Sequence, residues 1–162
     1  VQVAAGAAAA LGAIALGASL VAPWLAERET ARAAGGWISS SPRVAFERLD
    51  RAAALNPLAP DPHLTAALIA IRTEDSQRAE TELREVLRME PRTPFALAEL
   101  AALAYERGER RRALALIRRA AAYSPHDPTV VSAREKIAAE RPFGIEELNA
   151  GFIDIARDRV GR

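Results

Sequence analysis

The sequence contains no cysteine. That excludes disulfides, thiolate metal sites and cysteine nucleophiles. Aromatic residues make up only 5% of the chain while half of all residues are hydrophobic, so any core must be built from Ala, Leu and Ile. Such a composition suits close helix packing and disfavours a β-sandwich. Lysine is nearly missing too: all but Lys136 of the 22 basic residues are arginine. The net charge is +1, which gives no global attraction to nucleic acid. Residues 1–26 lack charge of either sign.

Catalytic and metal-binding patterns are equally scarce. The two histidines, His63 and His126, lie more than 60 residues apart beside prolines, without a second histidine at ligand spacing. Gly35-Gly36 has no following lysine or strand, so it is no phosphate loop. Glu80 with Arg84 and Glu85 with Arg88 read as solvated helix-face pairs, each worth about 0.2–0.5 kcal/mol. No isolated carboxylate pair in an apolar setting suggests acid–base work. The sequence therefore predicts no catalytic residue, cofactor or metal, and no small-molecule substrate.

What is present is a period of 34. Ala45, Ala79 and Ala113 repeat at that spacing, as do Leu49, Leu83 and Ile117. Ala52, Val86 and Ala120 form a third column, Leu55, Met89 and Tyr123 a fourth, and Pro57, Pro91 and Pro125 a fifth. A 34-residue period with small, apolar and closing-proline columns marks a helix–turn–helix solenoid. Breakers and caps predict helices over 43–55, 62–73, 76–89, 94–107, 110–123, 128–140 and 145–160. Ser39-Ser40-Ser41-Pro42 reads as a capped start, and Asp61, Thr93 and Asp127 each precede a proline in the cap position.

These columns resemble the tetratricopeptide repeat family. In the copy Pro94–Asp127, Leu97, Leu100, Ala101 and Ala104 match the first-helix signature, Gly108 the turn, and Ala113, Ile117, Ala120 and Pro125 the second helix and close. The copy Pro60–Thr93 keeps Ala67, Ala70, Ala79, Leu83, Val86 and Pro91 but has Glu74 where the turn glycine belongs. The resemblance implies a binding groove lined by first helices. Its positions here are Asp61, Leu64, Leu68, Ile71, Arg72, Phe95, Ala98, Ala102, Tyr105 and Glu106. Members that clamp a carboxyl-terminal peptide carry Lys, Asn and Arg there, so that ligand class is disfavoured. The expected partner-binding stripe is Leu64, Leu68, Ile71, Phe95 and Tyr105, suited to an amphipathic helix or a membrane protein.

The uncharged stretch 1–26 is long enough to span a bilayer, with Trp24 at an interface. Ala5, Ala9, Ala13 and Gly17 offer a small-residue seam for helix packing. A cleavable signal peptide is the alternative, although no basic region precedes the run. Arg28, Arg32 and Arg43 follow the span, which predicts a bacterial inner membrane protein with cytoplasmic repeats. Arg110, Arg111, Arg112, Arg118 and Arg119 form a basic cluster that is either a solvated face or a contact with anionic lipid. Nucleic-acid binding is disfavoured because stacking aromatics are missing.

The expected architecture is all-α. A transmembrane helix (1–26) precedes about three TPR-like repeats (27–141) and a carboxyl-terminal capping or docking helix (142–162). Ile145, Leu148, Phe152 and Ile155 give that last helix an apolar face. It either caps the solenoid end or fills the groove, and the small number of repeats favours self-occupancy. The chain begins at Val1, which suggests a piece of a longer protein. The run Arg43-x-Ala45-x3-Leu49-x2-Ala52-x2-Leu55-Asn56-Pro57 after a span is similar to the carboxyl-terminal tails of O-antigen ligase-like membrane proteins. That resemblance implies a non-catalytic tail. The other expectation is a free-standing single-pass scaffold for assembling an envelope or respiratory complex, including cytochrome c maturation.

Overall fold

The computed structural model describes the backbone of residues 21–160 and the side chains of residues 21–152. Among the described residues eight helices follow one another: α1 (described over 21–36), α2 (Pro42–Leu55), α3 (Asp61–Arg72), α4 (Ser76–Met89), α5 (Pro94–Glu106), α6 (Arg110–Tyr123), α7 (Pro128–Ala138) and α8 (Ile145–Val160). No strand occurs among the described residues. From α2 to α7 each helix packs on its successor, most extensively within the pairs α3/α4 and α5/α6. The stack is thus three helix pairs followed by the single helix α7.

The repeat columns explain the packing. Ala45, Ala79 and Ala113 are buried where the second helix of each pair approaches the first, and Leu49, Leu83 and Ile117 fill the space one turn on. Alanine at the crossing lets the helix axes come close, and the larger residue beside it locks the pair. Ala33, Ala67 and Ala101 form the matching buried column on the first helices, which places α1 in the repeat register as the first helix of the first pair. The fourth column is different: Leu55 and Tyr123 are exposed, so it marks a helix end and not the core.

Helix starts follow the sequence only in part. Ser41 Oγ accepts the Val44 N–H at 3.3 Å, and Asp127 Oδ1 accepts the Thr129 and Val130 N–H groups at 2.9 and 3.1 Å. Thr93 does not cap with its side chain; its hydroxyl donates to the Glu90 carbonyl at 3.0 Å. Asp61 falls inside α3, with Pro60 in the cap position.

The helix ends are more uniform. Glu74, Gly108 and Glu140 each take a left-handed conformation, with φ of 59°, 75° and 55°. At each, the next N–H reaches back five residues: Asp75 to Ala70 O, Glu109 to Ala104 O and Arg141 to Lys136 O, all at 2.9 Å. This is the Schellman termination that glycine normally supplies. Gly108 does so without strain, whereas Glu74 makes the same turn despite its Cβ. Glu74→Gly is therefore expected to raise stability by about 1 kcal/mol, roughly 3 °C in a thermal melt. An unchanged or lower melting temperature contradicts this.

Among the described residues no helix is long and apolar enough to cross a membrane. Most of the expected span, residues 1–20 with its small-residue seam, lies outside the described residues. Its last residues, 21–26, belong to α1, where Ala26 is already buried while Trp24 is exposed and carries the Arg28 guanidinium 5.2 Å from its ring centre.

Candidate functional site: the face of the first helices

The first helices α1, α3, α5 and α7 present one common face. Between α1 and α3 it opens as a cleft of about 590 Å³. Glu27, Thr30, Ala31 and Ala34 line it from α1, and Asp61, Leu64, Thr65 and Leu68 from α3. These two sets are the same positions one 34-residue period apart. The period, applied once more, places Phe95, Ala98, Glu99 and Ala102 on the same face of α5.

There the face is covered by the chain itself. Helix α8 turns back and packs on α5 and α7. Phe152 of α8 meets Phe95 with ring centroids 5.1 Å apart. Leu148 is fully buried and Ile145 nearly so. Gly151 passes so close to α7 that a Cβ there would come 2.8 Å from Thr129 Oγ1. Thr129 is the groove-face position of α7, 34 residues after Phe95. The start of α8 is fixed by Glu106, whose Oε1 accepts the Ile145 N–H at 2.8 Å. Tyr105 Oη donates to the Arg141 carbonyl at 3.0 Å and its ring lies 6.4 Å from that of Phe143. Lys136 of α7 pairs with Glu147.

The five residues expected to form one apolar stripe are thereby divided. Leu64 and Leu68 line the open cleft, Leu68 being exposed. Phe95 and Tyr105 are partly buried under α8 and its link. Ile71 lines a second cleft, of about 480 Å³, together with α8 residues. The stripe is continuous in register but only its first half is open.

Glu99 was not among the expected residues. Its side chain is completely buried and neither carboxylate oxygen has a hydrogen-bond partner. Burial pushes its pKa up to about 8. The nearby Asn149 amide of α8, which gives one of its two hydrogens to the Ile145 carbonyl at 3.0 Å, offsets part of that rise, and the Glu106 charge adds to it. The signal that could have found it is the period itself, since Glu99 stands 34 residues after Thr65 of the open cleft.

The charged clusters away from this face are structural. Glu80 is nearly buried and accepts from Arg84, from Arg107 at 2.6 Å and from Arg112 at 2.5 Å. It is therefore no ordinary solvated pair but the centre of an ion cluster joining the second repeat to the third. Burial acts to raise its pKa, but the bonds and charges of Arg107 and Arg112 outweigh that and hold it below the ordinary range. His63 Nδ1 lies 2.8 Å from Glu82 Oε2, and Arg78 bridges Glu82 to Asp50 while stacking 3.9 Å over the Phe46 ring. No group of three or more potential metal ligands occurs among the described residues. In the basic cluster, Arg110 donates to the Ala138 carbonyl at 2.8 Å and pairs with Glu140, and Arg112 is held by Glu80 and Glu109. Arg111, Arg118 and Arg119 are exposed.

Comparison with known proteins agrees with this architecture at the level of fold. No family model matches the sequence, and no curated protein matches it. Among solved structures, the first TPR domain of the human RPAP3 protein superposes with a TM-score of 0.63 at 13% identity, covering 80% of this chain and 96% of that one. A crystal structure of MamA gives a TM-score of 0.59 at 12% identity, covering 82% of this chain and 81% of that one. The chain has a TPR-like α-solenoid fold.

Proposed function

We propose that this chain is a protein–protein interaction scaffold whose first-helix face binds amphipathic helices. The observation that supports it most is α8: a helix with an apolar face already lies on α5 and α7, and the same face continues open between α1 and α3. A solenoid presents such a face because each pair contributes equivalent positions to it. Leu64, Leu68 and Trp24 give the open part apolar area, and Glu27 and Asp61 give it acidic edges. Convergent apolar side chains of this kind concentrate binding energy.

A photo-crosslinking residue at Leu68 is expected to trap a discrete partner in the native host. The same residue at Arg118, outside this face, is expected to trap none, and Leu64→Asp should abolish the Leu68 product. Equal yields from both positions would overturn the assignment of the binding face.

The narrower reading is a membrane-tethered scaffold, held through residues 1–26 in a bacterial inner membrane with the repeats on the cytoplasmic side. Its support is the uncharged run and the arginines that follow it. Alkaline carbonate extraction that leaves the chain in the membrane pellet is the expected result; release into the supernatant removes the tether. The pattern of residues 43–57 supports the further reading of a non-catalytic tail of an O-antigen ligase-like protein. An upstream reading frame with many further spans is what that reading requires.

A further inference from the structure

We propose that the part of the face beneath α8 is a docking surface for a basic amphipathic helix, with an arginine or lysine opposite Glu99, and that α8 is its displaceable internal occupant. This rests on the reading that the first-helix face takes helices. It adds the chemistry of the partner and the segment the partner replaces.

The argument begins with the surface. Glu99 occupies a groove position, equivalent to Thr65 in the open cleft, and it is buried only on the part of the face that α8 covers. A carboxylate sealed from water without a partner is costly, so the group must stay protonated or find a cation. Among the described residues no cation pairs with it. The Glu106 charge acts on it directly, and the cleft beside Asn149 is mostly acidic. Glu106 stands on α5 itself, Glu74 follows the end of α3, and Glu146 comes from α8; only Arg72 of α3 is basic, and it is exposed. All four line the cleft beside Asn149. From α7, Lys136 is engaged with Glu147. Ile71 and Leu103 give this cleft apolar area, and Glu74, Glu106 and Glu146 give it negative charge.

The second part of the argument is that α8 fits this surface incompletely. Opposite Glu99 it places Asn149, a neutral amide that gives one of its two hydrogens to the Ile145 carbonyl and brings no positive charge to the carboxyl. Its first turn brings Glu146 to a cleft that is already acidic. A helix with the same apolar spacing but a basic residue at the Asn149 position satisfies Glu99 by a charge-assisted bond, the strong kind in a dry setting. Specificity then comes from the penalty that α8, and any neutral helix, leaves standing.

Two labelled synthetic peptides with the sequence of residues 145–160 test this, one unaltered and one carrying Asn149→Arg. Each is titrated into the full chain by fluorescence anisotropy, with hydrogen exchange followed on α8. The Asn149→Arg peptide is expected to bind at least about tenfold more tightly and to lower protection across α8. Glu99→Gln in the chain should abolish that preference. Should Glu99→Gln fold poorly, Asn149→Arg placed in the full chain gives an independent reading: it should raise protection across α8 and weaken peptide binding. Equal affinities for the two peptides, or a preference that survives Glu99→Gln, overturn the basic-helix inference while displacement by both still supports the general binding face. Failure of either peptide to bind or to loosen α8 overturns both.

Discussion

Between about pH 5 and about pH 9 the folded chain is expected to lose stability as pH rises, and Glu99→Gln is expected to remove most of that slope. The Glu99 carboxyl titrates near 8 in the folded state against an ordinary value of 4.5. Over the window between these values the folded chain holds a proton that the unfolded chain has released. The folded state binds more protons there, so stability falls with pH. The contribution is fully present below the ordinary carboxylate range and is lost as pH climbs through about 8. Its span is roughly 4–5 kcal/mol at most, because one pKa unit corresponds to about 1.4 kcal/mol. Glu80 has the opposite sign: its pKa is lowered, so its contribution weakens only as pH falls through the acidic range. The two effects therefore separate. Denaturant midpoints measured across this pH range decide the matter. Glu99→Gln should be close to the parent near pH 4.5 and increasingly more stable than it as pH rises toward about 9. A slope that Glu99→Gln leaves intact means the carboxyl is not buried in solution.

Leu148→Ala is expected to release α8 without melting the repeats. Leu148 is buried to 1% exposure, and truncating such a side chain costs about 2–5 kcal/mol. Among the described residues the helix packs mainly on α5 and α7, at one end of the stack. Solenoids lose terminal elements before central ones because each element depends on its neighbours alone. Three observations should appear together: lower exchange protection in α8, binding of an apolar dye to the uncovered Phe95 and Tyr105, and loss of the pH slope as Glu99 regains water. A single cooperative melt of all helices, with no dye-binding species, would show that α8 belongs to the repeat core.

Helix boundaries and register were legible in the sequence because they depend on local signals. The columns at Ala45, Leu49 and Ala52 report contacts within a pair, and a pair spans little more than thirty residues. The terminus at Glu74 also followed from register, since Gly108 marks the equivalent turn. What escaped was set by segments distant in sequence. Glu99 reads as one more charge on a helix; its burial, and the Asn149 amide of α8 beside it, follow only from the folded chain. Glu80 read as an i, i+4 partner of Arg84, while the arginines that desolvate and hold it sit in the next repeat. The stripe Leu64, Leu68, Ile71, Phe95 and Tyr105 was expected as one surface; its division by α8 depends on where the link after α7 sends the chain. Periodicity describes each repeat and says nothing of what folds back over it.

That link has a quantitative consequence. Residues 139–144 are a tether of six residues between α7 and α8. A segment held on so short a leash competes at an effective concentration on the order of millimolar, whatever its intrinsic affinity. If α8 is seated in about 99 of 100 molecules, a free competitor binds roughly a hundredfold more weakly than its bare affinity. Weak or scarce competitors are turned away, and only a tight or locally abundant one gains entry. The leash thus sets a threshold for occupancy, and altering its length or stiffness shifts that threshold without touching the residues of α8 that meet the face.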